Sequence, residues 1–161
     1  MINLNEILEP IIQREWCREV SATVSKKIRP EVEWKLDKKL PQCYDLTCRL
    51  REAIAHLAGE VNDNTKAVKR RVKTYQEGDK QLIELAWGGE PLTKDRLADI
   101  NRRYGGNANR KADERYSGSF RAGDIILEMG GRLWIENFSD GVYSIRNVIE
   151  IPLPKRVRRR T

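Results

Sequence analysis

The chain has 161 residues, of which 39% are hydrophobic and 34% are charged, and it carries a formal net charge of +7 at pH 7. This length allows one domain or two small ones, and no apolar run is long enough to span a bilayer. The start from Met1 to Glu6 is polar and acidic, unlike a secretion signal. We therefore expect no membrane contact, and a location in the cytoplasm, or in a particle assembled there, rather than secretion.

The cysteines and the single histidine do not form a recognisable metal or disulfide pattern. Cys17, Cys43 and Cys48 are odd in number, so they cannot all pair within one chain, and free thiols in a reducing compartment are expected. Together with His56 they lack the Cys-x-x-Cys spacing that structural zinc sites use. We predict neither a metal site nor a cofactor.

The first forty residues carry a helical apolar pattern. Asn5 is suited to cap a first helix, and a four-residue apolar spacing continues as far as Arg29, where Pro30 is expected to end the helix. The stretch from Val32 to Leu40 fits a strand or a helix, and we favour a helix. The apolar residues of the first turns share one helical face: Ile7, Leu8, Ile11, Ile12 and Trp16.

The longest periodic segment runs from residue 44 to residue 76 and contains no proline. Its apolar residues recur three and four positions apart, which predicts one long amphipathic helix. The heptad pattern places a coiled-coil seam along that helix and indicates a homo-oligomer, with a lone asparagine that fixes the register. The predicted seam residues are Ile54, Leu57, Val61, Asn64, Val68, Val72 and Tyr75.

The same segment also allows two helices joined by a turn at residues 62–64, because Asn and Asp cap helices and tolerate turn conformations. From Leu57 to Tyr75 the pattern LA-x-x-V, turn, AV-x-R-x-V-x-x-Y resembles helix-turn-helix segments of transposases and phage regulators. The resemblance implies that the second helix lies in the DNA major groove. The implied DNA-contacting residues are Lys66, Lys69, Arg70 and Lys73. Apolar spacing alone does not separate this alternative from the continuous helix.

The next segment contains short elements and a polar loop. Residues 82–87 form a short apolar run, either strand or helix, followed by a turn at 88–91. Thr93 is suited to cap a short helix that Gly105 ends. Residues 106–119 have no apolar periodicity and predict a flexible basic loop.

The C-terminal part has the character of a β module. Three β-rich runs cover residues 125–129, 132–138 and 142–151, and glycine-containing turns separate them. The final seven residues form a basic tail that could neutralise nucleic-acid phosphates without reading sequence. The cations of this tail are Lys155, Arg156, Arg158, Arg159 and Arg160.

No group of residues has the spacing of a catalytic site. A metal-dependent nuclease needs converging carboxylates and usually a nearby lysine, but the sequence has no lysine between Lys111 and Lys155. The glycine pairs at 88–89 and 105–106 lack the spacing of phosphate-binding loops. We therefore expect a protein that is not an enzyme.

Together these patterns predict an α+β fold. N-terminal helices with the long amphipathic helix, or a helix-turn-helix, precede a small antiparallel β meander or barrel-like module. The predicted divisions are residues 1–87 with the central helix at 44–76, residues 88–119, residues 120–154 and residues 155–161.

The leading functional hypothesis is a non-enzymatic, oligomeric structural protein, such as a connector or minor component of a phage or virus particle. It would contact protein partners and the phosphates of DNA or RNA. The alternative hypothesis is a helix-turn-helix DNA-binding protein of a phage or mobile element.

Overall fold

The computed structural model describes residues 3–17, 20–23, 26–41, 47–64, 68–105 and 117–153. These residues form an α+β fold with four helices and seven strands. The helices are α1 (Leu4–Trp16), α2 (Thr47–Asn64), α3 (Lys94–Tyr104) and α4 (Ser117–Glu128). The strands are β1 (Val20–Thr23), β2 (Lys26–Ile28), β3 (Glu31–Lys35), β4 (Lys69–Glu77), β5 (Lys80–Trp87), β6 (Arg132–Asp140) and β7 (Tyr143–Pro152).

Five strands form one mixed sheet in the order β3-β4-β5-β7-β6, while β1 and β2 pair separately. The pair β3–β4 is parallel and the other pairs are antiparallel. Parallel neighbours need a long crossover connection, and α2 lies in the connection between β3 and β4. The strand order also shows that strands from residues 31–87 and from residues 132–152 lie side by side in one sheet.

The helices cover one face of the sheet, which we call the inner face. Alternation along the strands turns Val72, Ile83, Leu85, Ile145 and Ile149 towards the helices, and all five belong to the buried core. The helices contribute their own apolar sides to the same core. Their fully buried members include Leu8, Ile12, Trp16, Ile54, Leu57, Ile125 and Ile126.

Residues 69–77 form strand β4, so the predicted continuous helix over 44–76 is wrong beyond the end of α2. The same residues fit period two, with Arg70, Val72 and Thr74 on the inner face and Arg71 and Tyr75 on the other. Val68 and Val72 are four residues apart, and this spacing fits both the helical period of 3.6 and the strand period of two. The apolar pattern therefore did not distinguish a helix from a strand. Pairing with β3 on one side and β5 on the other decides in favour of the strand.

Three shorter predictions are also wrong. The first helix ends at Trp16, and residues 20–23 and 26–28 form β1 and β2 rather than its continuation. Residues 31–35 form β3 rather than a helix. Residues 125–128 belong to α4 rather than to a strand, because Ala122, Ile125 and Ile126 are buried together at helical spacing.

Two other predictions are confirmed. The Thr93 side chain accepts a hydrogen bond from the Arg96 N–H and caps α3, which ends before Gly105. The runs at 132–138 and 142–151 form the β6–β7 hairpin. Within the described residues, the structure contains no helix that is long and apolar enough to cross a membrane.

Candidate functional site

A pair of polar side chains lies in the otherwise apolar layer between helices and sheet. The Tyr104 hydroxyl, at the end of α3, donates a hydrogen bond to Asn147 Oδ1 of β7 over 3.1 Å. Both residues are buried. Burial, and secondarily the charge of Glu60 on α2, raises the pKa of Tyr104. Tyr104 is therefore a hydrogen-bond donor that keeps its proton.

The last turns of α3 add charged groups beside this pair. Asp99 accepts a hydrogen bond from Arg103 Nη1 over 2.7 Å and also pairs with Arg102. Arg103 is buried although it is charged. Its position in the last turn is favourable because the C-terminal end of a helix attracts cations, and the Asp99 carboxylate compensates its charge.

Helix α4 approaches the end of α3 very closely at Gly123. A Cβ atom at this position would lie 2.4 Å from the Tyr104 carbonyl oxygen. Only glycine allows this backbone approach without a shift. Tyr104 is therefore enclosed between α4 and the inner face of the sheet.

Two asparagines attach α3 and the segment before it to β6, the edge strand. Asn101 donates to the Ile135 carbonyl over 3.0 Å and accepts from the Ile135 N–H over 2.9 Å. Asn137 makes the same pair of bonds with the Leu92 backbone, at 2.7 and 3.0 Å. These amides satisfy backbone groups that an edge strand leaves unpaired, and they fix the position of α3.

We call Glu60, Asp99, Arg103, Tyr104 and Asn147 the inner cluster. A few convergent polar groups in apolar surroundings are typical of a ligand site. The inner cluster contains no nucleophile next to a general base, so its chemistry suits binding rather than covalent catalysis. Among the described residues, no group of three or more His, Cys, Asp or Glu side chains could hold a metal ion.

The opposite face of the sheet, the outer face, carries ion pairs between strands. Arg146 donates from Nε to Glu136 over 2.8 Å and from Nη1 to Glu84 over 2.6 Å. Glu84 is 1% exposed, and Lys73 Nζ lies 4.0 Å from its other oxygen. These described charges are matched within the face, so the outer face is less suited than the inner cluster to an additional charged ligand.

The predicted DNA-contacting residues do not lie on one helix. Lys69 and Lys73 are on β4, and Lys66 and the tail residues 155–161 lie outside the described residues. Arg70 is 1% exposed, lies over the Trp16 ring at 5.4 Å and bonds to Asn62. Its burial lowers its pKa to about 10. Arg70 therefore joins α1, α2 and β4 and cannot reach a DNA groove.

The predicted seam residues are also divided between elements. Ile54, Leu57 and Val61 are buried on the side of α2 that contacts α1 and α4. Asn64 ends α2, and Val68 precedes β4. Val72 and Tyr75 lie on opposite faces of the sheet. The seven residues do not form a coiled-coil seam.

The five residues of the inner cluster were absent from the site residues predicted from the sequence. The short helix that carries Asp99 and Tyr104 was predicted, but neither these two residues nor Asn147 was singled out as a site residue. A signal for Asn147 exists, because it interrupts the apolar alternation of Ile145, Ile149 and Ile151. A polar residue on the buried face of a strand requires a partner.

No protein-family model and no curated protein matches the sequence. Among solved structures, the catalytic domain of histidine kinase ThkA matches with a TM-score of 0.68 and 16% identity, over 94% of this chain and 93% of that chain. The mycobacterial sensor histidine kinase MprB matches with a TM-score of 0.65 and 12% identity, over 94% and 95%. Full-length ShkA in complex with AMPPNP matches with a TM-score of 0.68 and 17% identity, over 94% of this chain and 30% of ShkA.

These similarities show that the chain has the fold of a histidine kinase catalytic domain. They extend over nearly the whole chain, whereas the helix-turn-helix resemblance covered residues 57–75 and fails because residues 69–77 form a strand. The neighbours include a histidine kinase catalytic domain and a sensor histidine kinase, and none of the three is a particle component or a DNA-binding protein. The predictions of a phage or virus structural protein, of a helix-turn-helix protein and of a protein that is not an enzyme are therefore wrong.

Proposed function

We propose that this chain binds an ATP-class nucleotide and acts as the nucleotide-binding domain of a kinase or ATPase. The observation that carries the proposal is the fold similarity over 94% of the chain to the catalytic domain of histidine kinase ThkA and to part of full-length ShkA in complex with AMPPNP. Phosphoryl transfer depends mainly on positioning and electrostatic stabilisation, with little covalent chemistry by the protein. The lack of a nucleophile–base pair in the inner cluster is therefore compatible with this activity.

The inner cluster is the proposed nucleotide site. It combines a buried hydroxyl and amide, Tyr104 and Asn147, with the carboxylate of half-buried Glu60 on α2. A nucleotide base is apolar on its faces and polar at its edges, so it suits an apolar layer with a few polar groups. The charges of the outer face pair with each other, which makes that face the poorer candidate.

Glu60 is the proposed contact for the Mg²⁺ ion that an ATP-class nucleotide carries. Protein sites usually hold this ion with one or two carboxylates, while the phosphates supply other ligands. A cluster of three protein carboxylates is therefore not required. Glu60 is half-buried on α2, and its charge contributes to the raised pKa of Tyr104; in this proposal Glu60 contacts the metal and Tyr104 contacts the nucleotide.

Self-association or binding to another protein domain is a second part of the proposal. The chain matches 30% of full-length ShkA, so in that protein a domain of this fold works within a longer chain. Light scattering of the purified chain with and without AMPPNP measures self-association directly. A monomer under both conditions would remove the homo-oligomer from the proposal.

Calorimetric titration with AMPPNP and Mg²⁺ tests nucleotide binding. We expect saturable binding at one site. Glu60→Gln removes the negative charge proposed to contact Mg²⁺ and should weaken binding roughly tenfold or more, which corresponds to about 1.4 kcal/mol or more. Glu150→Gln is the matched control, because Glu150 is also half-buried but pairs with Lys80 on the outer face.

The control should bind AMPPNP as the parent chain does. Absence of saturable binding at millimolar nucleotide would contradict the proposed function. Equal losses in Glu60→Gln and Glu150→Gln would retain nucleotide binding but refute its placement at the inner cluster.

A further inference from the structure

The tip of the β6–β7 hairpin contacts the segment that leads from β5 into α3. A Cβ atom at Gly88 would lie 2.7 Å from the Val142 carbonyl oxygen, so the two backbones touch. The Ser144 hydroxyl donates to the Gly89 carbonyl over 2.7 Å. With the two bonds between Asn137 and Leu92, the hairpin holds residues 88–92 at three successive points.

The same tip is attached to the far side of the sheet. The Tyr143 hydroxyl donates to Glu33 of β3 over 2.7 Å, and Asp140 pairs with Arg71 of β4. In the strand order, β7 and β3 are separated by β5 and β4, a distance of about 14 Å at the usual strand spacing. The tip therefore bends over the outer face to make these contacts. The register of the β6–β7 pair shifts between Asn137 and Asp140, and a strand bends at such a bulge.

Arg71 is the residue on which the tip closes. Its side chain is 5% exposed, and its guanidinium lies 4.8 Å from the Tyr143 ring centre and 5.8 Å from that of Phe138. Its Nε has no hydrogen-bond partner among the described residues. A buried guanidinium is costly unless a carboxylate and aromatic faces compensate it, and here the hairpin tip supplies Asp140 and both rings.

We propose that the hairpin tip, residues 138–144, is a clamp that positions α3 for ligand binding. When the clamp is closed on Arg71 and Glu33, it holds residues 88–92 and thereby the start of α3. Helix α3 carries Asp99, Arg103 and Tyr104 of the inner cluster, so clamp closure and ligand binding favour the same arrangement. The tip residues are positioning residues that do not themselves touch the ligand.

This inference rests on the proposed function for its ligand, but its mechanical part can be tested without one. Tyr143→Phe removes the bond to Glu33 while keeping the ring beside Arg71, and Asp140→Asn removes the charge that neutralises Arg71. Lys80→Gln is the control, because it breaks an ion pair with Glu150 elsewhere on the outer face. Amide hydrogen exchange then reports opening of each segment.

We expect Tyr143→Phe and Asp140→Asn to raise exchange in residues 88–93 and in α3 several-fold, and Lys80→Gln to leave both segments unchanged. Faster exchange confined to residues 138–144 would refute the clamp, because the tip would then open without affecting α3. Faster exchange throughout the chain in Asp140→Asn would indicate general destabilisation. In that case Tyr143→Phe, which removes only one hydroxyl, would show whether opening of the tip also speeds exchange in α3.

The ligand provides a second readout. Coupling between two sites is reciprocal, so AMPPNP should slow exchange in the hairpin tip, and both tip variants should weaken AMPPNP binding several-fold. If the parent chain does not bind AMPPNP, the proposed function fails while the exchange result still tests the clamp. If it binds and the tip variants bind equally well, the clamp fails while the proposed function stands.

Discussion

Because α3 and α4 approach closely at Gly123, Gly123→Ala should lower the free energy of unfolding. Gly59 and Gly123 both lie within helices, α2 and α4. A Cβ atom at Gly59 has no heavy atom within 4 Å, whereas one at Gly123 lies 2.4 Å from the Tyr104 carbonyl oxygen and 2.9 Å from Tyr104 Cα. The same substitution should therefore have opposite effects at the two positions.

The magnitude follows from two competing contributions. Replacing a helical glycine by alanine stabilises a protein by about 0.5–1 kcal/mol, and this is the whole effect expected for Gly59→Ala. At Gly123 the added methyl group is about 1 Å too close to a backbone atom. A rotamer change cannot relieve that contact, and overpacking of this kind costs about 1–3 kcal/mol. The two contributions leave a net loss of about 0–2.5 kcal/mol for Gly123→Ala, and we expect the upper half of this range because the 2.4 Å contact is with backbone.

Urea unfolding of the parent chain and of the two single variants measures these differences. At this chain length a change of 1 kcal/mol corresponds to about 2–4 °C in melting temperature, so thermal unfolding provides a second measurement. The two variants should shift in opposite directions. If Gly123→Ala stabilised the chain as much as Gly59→Ala, α4 would not pack against the end of α3 as described, and the enclosure of Tyr104 would be wrong.

Three further predictions concern single contacts. Asn101→Ala should cost about 1–3 kcal/mol in urea unfolding because it leaves both backbone groups of Ile135 unpaired; no change would mean that solvent replaces the amide. Trp16→Phe should cost about 1–2 kcal/mol, because the buried indole N–H that bonds to α2 is lost; a neutral result would contradict that bond. Burial and a hydrogen bond to Glu33 raise the pKa of Tyr143 from 10.0 to about 12, so its stabilising effect should be complete below pH 10 and lost as pH rises through 12. NMR titration of the phenol should show this shift and a lower pKa in Glu33→Gln; an ordinary pKa in the parent chain would refute the contact.

Local patterns predicted those parts of the fold that depend on neighbouring residues. The Thr93 cap and the glycine turn of the β6–β7 hairpin act within a few residues, so the sequence identifies them. Residues 69–77 depend instead on pairing with β3 and β5, which lie elsewhere in the chain. Spacing of valines fitted a helix and a strand equally well, and tertiary pairing decided between them.

The inner cluster was harder to predict than the fold class because its members come from separate elements. Tyr104 of α3 and Asn147 of β7 are joined by a hydrogen bond across the fold, Glu60 belongs to α2, and no short motif contains the three residues. Arg70 shows the opposite error. It was expected to contact DNA because the helix-turn-helix resemblance placed it on the second helix, but strand alternation buries it against Trp16 while its neighbour Arg71 faces the hairpin tip.

The most direct test of the central claim is amide chemical-shift mapping of the chain during titration with AMPPNP and Mg²⁺. If the inner cluster binds the nucleotide, saturable shifts are expected to centre on Glu60, Tyr104 and Asn147, with smaller shifts in the hairpin tip. Absence of saturable shifts would contradict nucleotide binding. Shifts centred on Glu84 and Arg146 of the outer face would place the ligand on the wrong side of the sheet and contradict the proposed site.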